Sequence, residues 1–198
     1  MALTDKDRRL VRVFSALVLG EFDEAKRVRR DAPAPEPDRE WRETVRQVHL
    51  FAGFPRLVES LEAMAQAGGL GTSGPDEGDE RGDGAALFDT IYGANAAPVR
   101  ARLAELDATF AEWVADHAYA RILTRPGLSA ARRELLAVAA LAALGQERQL
   151  ASHTRGAVHC GAEREDALEV LDVIRDLVPV ERMERAQLVV ERFARVGE

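Results

Sequence analysis

Apolar side chains recur every three or four residues along most of the chain, the spacing that buries one face of a helix. The spacing is clearest in residues 5–19, whose apolar face carries Leu10, Val13, Phe14 and Leu17. No alternating segment of strand length competes with it. The pattern therefore predicts an all-α protein. The predicted helices are 5–19, 38–51, 55–67, 85–92, 97–106, 107–123, 130–144, 146–160, 163–177 and 180–196.

Glycine and acidic residues dominate segment 68–84, which contains almost nothing to bury. This composition is typical of a connector and not of a packed element. We therefore predict an N-terminal helical region at 1–67, an acidic, Gly-rich linker at 68–84 and a larger helical domain at 85–198.

The chain has 198 residues, 46% of them hydrophobic, and a net charge of −7. This length can bury one good core or two small ones. The negative charge gives no electrostatic reason to bind nucleic acid or an anionic membrane. Even the apolar run 135–144 falls short of the roughly 20 residues that span a bilayer, and the charged start shows no secretory leader. We expect a cytoplasmic protein with no nucleic-acid or membrane partner.

One carboxylate, that of Glu134, stands inside the most apolar predicted helix, 130–144. Burying a carboxylate costs several kcal/mol unless it finds a partner. The next helix places Gln146, Gln149 and His153 at spacings of three and four residues, on a single face. An imidazole on that face satisfies the carboxylate, and Glu134 then orients His153 for proton transfer near neutral pH. The pattern predicts Glu134 and His153 as catalytic residues.

The other polar and aromatic groups near this face predict a substrate pocket. Gln146 and Gln149 stand near the start of a helix, where backbone N–H groups favour an anion. Their amides would hold a carboxylate or an enolate oxygen, and Tyr119 is a candidate aromatic wall. A purely structural interpretation stays open, because buried Glu–His pairs also tie helices together and Gln at a helix start is often a solvated surface residue.

The histidines and the cysteine predict no metal centre and no cofactor. His49, His117 and His159 have no metal-ligand spacing with one another, and we interpret them as structural or exposed. The glycines form no phosphate-binding loop between a strand and a helix. Cys160 is the only cysteine, which excludes an internal disulfide or dithiol cycle, and we interpret it as a small buried apolar residue.

Residues 133–162 resemble the carboxymuconolactone decarboxylase family, which is related to the alkyl hydroperoxidase D proteins. The hydroperoxidase pattern is Glu, eleven residues, Cys, two residues, Cys, three residues, His. Glu134 and His153 fit the ends of this pattern without a gap, whereas Gln146 and Gln149 stand at its cysteine positions. The resemblance implies an alkyl hydroperoxidase D-like helical fold.

The resemblance also implies an internal duplication and self-association. Segment 48–55 is similar to the aromatic-Gly-x-Pro turn that joins two helices of a family unit, which predicts a degenerate copy of that unit in 1–67. Members of the family assemble through helix faces, so we expect a homo-oligomer.

Three functional classes follow from these observations. The first is a cofactor-free lyase that uses Glu134 and His153 on a small lactone or ring carboxylic acid. The second is a hydroperoxide reductase or antioxidant protein, disfavoured because that chemistry needs a thiolate and a resolving thiol. The third is a non-catalytic scaffold that binds a ligand or forms oligomers.

Overall fold

The computed structural model describes residues 3–33, 38–75, 77–78 and 80–195. Its regular elements within these ranges are all helical, which confirms the predicted all-α class. The α-helices are α1 Asp5–Leu19, α2 Phe22–Arg30, α3 Asp38–Gln47, α4 His49–Ala65, α5 Gly84–Tyr92, α6 Ala96–Leu106, α7 Ala108–Trp113, α8 Ala130–Leu144, α9 Glu147–His159, α10 Arg164–Ile174 and α11 Val180–Phe193. Residues 1–2 and 196–198, at the ends of the predicted regions, lie outside the described residues. The proposed duplication stays a prediction.

Several predicted helices have different bounds in the structure, and α2 was not predicted; the two largest differences lie at 38–51 and 107–123. The helix expected at 38–51 ends at Gln47, and α4 bends at Gly53, whose φ of 81° is a left-handed value that favours glycine. The helix expected at 107–123 is α7 followed by a π-helix, Val114–Leu123. The backbone N–H of Thr124 donates to the carbonyl of Tyr119 at 3.2 Å, five residues earlier. This wider turn is typical of functional segments.

The main hydrophobic core joins both ends of the chain. It contains Phe14 and Leu17 from α1, Trp41 from α3 and most of α8, together with residues of α9, α10 and α11. Helix α8 is buried almost all round because its many alanines let neighbouring helices approach closely. A second, smaller cluster joins α5 to the π-helix. No helix in the described ranges is long and apolar enough to cross a membrane.

The acidic connector packs against α3 through ion pairs. Glu77 is only 6% exposed and accepts hydrogen bonds from Arg42 at 2.6 Å and from Arg46 at 2.8 Å. Glu80 pairs with Arg39. The sequence predicts little burial in this segment, but the cationic face of α3 neutralises its carboxylates and allows them to be covered.

A cluster of buried charges holds α3 to the start of α8. Glu43 is fully buried and accepts hydrogen bonds from Arg125 at 3.0 Å and from Arg133 at 2.9 Å. The Gln47 amide donates to the Arg133 carbonyl at 2.9 Å. Arg133, a member of this cluster, directly precedes Glu134 in the sequence, so the cluster fixes the register of α8.

Candidate functional site

Glu134 and His153 meet between α8 and α9. Nδ1 of His153 donates to Oε2 of Glu134 at 2.9 Å, because an ionised carboxylate only accepts hydrogen bonds. The Glu134 side chain is 1% exposed and that of His153 is 15% exposed. The buried carboxylate thus fixes the imidazole, whose second nitrogen, Nε2, is left for another partner.

Gly156 makes room for this pair. A Cβ atom at position 156 would lie 2.6 Å from Oε2 of Glu134 and 2.7 Å from Cγ2 of Ile91. Only a residue without a side chain lets α9 approach α8 closely enough for His153 to reach the carboxylate.

Gly156→Ala is therefore expected to push Glu134 away from His153 and to lower the free energy of unfolding by about 1–3 kcal/mol. Urea unfolding measures the loss. Gly78→Ala is the matched control, because a Cβ atom at position 78 meets nothing within 4 Å. Equal stability of the two variants would contradict the close packing at Gly156.

A cavity of about 540 Å³ opens beside His153. Its wall includes His153 but not Glu134, which lies behind the imidazole. The apolar part of the wall consists of Leu50, Phe51, Pro98, Val99, Leu103, Leu106, Val114, Ala118 and Leu123. The polar part consists of Tyr92, Asn95, Arg102, Tyr119, Arg148, Gln149 and Ser152. The cavity therefore combines an apolar body with hydrogen-bond donors and positive charge, a combination that suits a small organic acid.

The structure brings most of the predicted site residues to this cavity. His153, Gln149 and Tyr119 line its wall, and Glu134 contacts His153. Gln146 is exposed and does not belong to the lining. It precedes α9 with φ −92° and ψ 66°, so the helical spacing that aligns 149 with 153 does not extend to it.

Residues 108–192 match the model of the carboxymuconolactone decarboxylase family. The chain is therefore similar to this family over residues 108–192, called the family segment below. The family segment runs from α7 into α11 and contains Glu134, His153, Tyr119 and Gln149. No curated protein matches the chain.

Tyr92 contributes to the site from outside the family segment, and sequence reasoning missed it. The Tyr119 hydroxyl donates to the Tyr92 hydroxyl at 3.1 Å, so the Tyr92 proton is left for another acceptor. Burial raises the pKa of both tyrosines, which keeps them protonated. The sequence contained no signal for Tyr92, because α5 meets the π-helix only in the folded chain.

Arg148 and Ser152 were also missed. They stand one residue before Gln149 and His153 in the family segment, and all four line the cavity. Residues 148 and 152 have the same i and i+4 spacing as residues 149 and 153. This spacing could have predicted that Arg148 and Ser152 also line the cavity.

The Glu134 carboxylate controls the protonation of His153. Burial by itself lowers the pKa of the imidazole, but the charge of Glu134 and its hydrogen bond outweigh burial and raise the pKa above its usual value. His153 is therefore a cation over a wider pH range than a free histidine, and it can act as a general acid at neutral pH.

Glu134→Gln is expected to lower the pKa of His153, and NMR titration of the imidazole measures the shift. Because the pKa is raised in the folded state, the pair's contribution to stability is fully present below about pH 6.5, the usual value. This contribution is lost as the pH rises through the raised pKa. In Glu134→Gln the pair's contribution to stability should therefore no longer depend on pH in this range. Glu147→Gln serves as the control, because it removes an exposed carboxylate from α9, the helix that carries His153. An unshifted His153 in Glu134→Gln would contradict the coupling.

Cys160 is unsuited to thiolate chemistry. Burial and the nearby charge of Glu134 raise the pKa of its thiol to about 12. The residue lines a separate cleft beside α1 and not the cavity of His153. At neutral pH the thiol stays protonated and is a poor nucleophile.

The described residues gather no group of three or more His, Cys, Asp or Glu side chains that would hold a metal ion. Besides His153, the polar groups around the cavity are arginine, amide and hydroxyl groups, whose N–H and O–H donors suit an anion.

Proposed function

We propose that this protein is a cofactor-free lyase that acts on a small lactone or ring carboxylic acid. The observation that carries the proposal is the 2.9 Å contact between His153 and the buried Glu134, on the wall of a cavity of about 540 Å³. The match of residues 108–192 to the decarboxylase family model supports the same chemistry.

In the proposed reaction the bond between the carboxylate carbon and the ring breaks and carbon dioxide leaves. The electron pair stays on the substrate as an enolate, whose oxygen accepts hydrogen bonds from Tyr92 and from the Gln149 amide. The His153 imidazolium then gives its Nε2 proton to the substrate carbon, and water restores the proton on His153. Arg148 at the rim attracts the substrate anion.

Decarboxylation removes one negative charge from the acid, so the substrate and the product differ in their attraction to Arg148. We therefore propose that Arg148 contributes to substrate binding more than to the chemical step. Gln146 takes no part in this proposal, because it stands outside the cavity.

We also propose that the chain forms a homo-oligomer. Leu106, Phe110 and Trp113 are each more than half exposed along α6 and α7. An apolar patch of this kind is typical of a protein–protein contact. The hydroperoxide reductase function is not proposed, since the one thiol is protonated and has no partner thiol in the sequence.

The test is a panel of lactone carboxylic acids and unsaturated dicarboxylic acids, incubated with the protein and followed by release of carbon dioxide and by mass spectrometry of the products. The proposal expects turnover of at least one acid that disappears in His153→Gln. Saturable binding of these acids without any turnover would favour the ligand-binding scaffold instead.

A further inference from the structure

Two histidines that are far apart in sequence meet next to residues that line the cavity. Nε2 of His49, at the start of α4, lies 2.7 Å from Nε2 of His117 in the π-helix. Both side chains are half-buried. We propose that His49 and His117 form a binding site for one divalent transition-metal ion, Cu²⁺ or Zn²⁺, held by the two Nε2 atoms. This site does not depend on the proposed lyase function.

The surroundings of His49 prepare it as a metal ligand. Its Nδ1 lies within hydrogen-bond distance of the Arg46 carbonyl, which only accepts, so Nδ1 carries the proton. Neutral His49 therefore presents the lone pair of Nε2 toward His117. A backbone carbonyl that fixes the tautomer in this way is the usual outer partner of a metal-bound histidine.

His117 becomes the second ligand after a change of tautomer and a small movement of its ring. Without a metal, its Nε2–H donates to His49. Metal binding moves that proton to Nδ1 of the same ring through water, so no net proton is released. Metal–nitrogen bonds of 2.0–2.1 Å in a tetrahedral site place the two nitrogens about 3.3 Å apart. The rings must therefore separate by about 0.6 Å from their present 2.7 Å contact.

Both histidines are partly exposed to solvent. The Phe54 ring stacks on His49 with centroids 5.1 Å apart and is 65% exposed. Water can therefore fill the remaining coordination positions. Imidazole ligands suit Cu²⁺ and Zn²⁺, and the general affinity order places Cu²⁺ first.

The site would act on the cavity through neighbours in the chain. Leu50 and Phe51 directly follow His49, and Ala118 and Tyr119 directly follow His117; all four line the cavity. A metal ion would therefore tie α4 to the π-helix and stiffen this wall. The two histidines are 68 positions apart in the sequence, which explains why linear spacing indicates no metal ligands.

The test uses the untagged full chain, stripped of metal with EDTA and dialysed. Calorimetric titration with zinc sulfate is expected to show one saturable equivalent, and Cu²⁺ electron paramagnetic resonance is expected to show coupling to two imidazole nitrogens. His49→Gln and His117→Gln should each lose this binding. The matched control is His159→Gln, whose imidazole contacts the Ile91 carbonyl elsewhere, and it should keep the binding.

Two results would overturn the site: zinc binding that survives both variants, or binding that is lost in His153→Gln instead. If a variant fails to fold, long-range ¹H–¹⁵N spectra of the wild-type chain decide the question. Added zinc is expected to shift Nε2 of His49 and His117 and to leave His153 and His159 unchanged. Shifts confined to His153 or His159, or no shift at all, would contradict the site.

Discussion

Replacing His153 with Gln is expected to lower kcat/KM toward a turned-over acid by about 10²–10⁴-fold, the range that a positioned general acid contributes. Gln keeps much of the shape of the side chain but cannot deliver a proton. The loss should fall on kcat, because the imidazole acts mainly when charge develops on the substrate carbon. Steady-state kinetics with the acid identified by the panel measures the loss in kcat and in kcat/KM.

His159→Gln is the matched control for this change. His159 is on the same helix but binds the Ile91 carbonyl and is absent from the cavity wall. Its kcat/KM should stay within a factor of about 2 of the wild type, a surface-change effect of less than about 0.5 kcal/mol. A similar loss in both variants would show that the effect arises from the fold of α9 and not from proton transfer.

Glu43→Gln is expected to lower the free energy of unfolding by about 3–5 kcal/mol, the cost of breaking a buried ion pair by removing one partner. Glu43 is fully buried, and both Arg125 and Arg133 direct their guanidinium groups to it. The amide keeps the size of the side chain but leaves two buried cations with less opposing charge. Urea unfolding followed by circular dichroism measures the change.

Glu105→Gln is the control, since the ion pair between Glu105 and Arg102 is exposed on both sides. Its stability should change by no more than about 0.5 kcal/mol. A change of less than about 1 kcal/mol in Glu43→Gln, the range of surface pairs, would mean that water reaches the cluster and that it does not fix α8.

The helices with strong local signals could be predicted from the sequence. Helices α1 and α8 have the bounds that the apolar pattern predicted, because Thr4 and Ser129 cap their starts and left-handed Gly20 and Gly145 follow their ends. The π-helix could not be predicted, since its wider turn leaves no distinct pattern of apolar residues. The burial of Glu77 in the connector was also missed, because it depends on arginines of α3.

The meeting of Glu134 with His153 followed from the sequence because a carboxylate in an apolar helix needs a partner, and the nearest imidazole stands on the next helix. Tyr92 could not be found in this way, since its partner, Tyr119, is brought to it by tertiary packing alone. Gln146 shows the limit of spacing arguments. One residue of non-helical backbone before α9 separates it from the face that carries Gln149.

Transfer of a proton by His153 to a bound acid is measured most directly by deuterium exchange. The acids of the panel are incubated in D₂O with wild-type protein, Glu134→Gln and His153→Gln, and deuterium in the product, at the carbon that lost the carboxylate, is followed by NMR. We expect wild-type protein to incorporate deuterium, Glu134→Gln to be slower, and His153→Gln to match the rate without protein. Exchange in His153→Gln at the wild-type rate would contradict an acid/base site at Glu134 and His153.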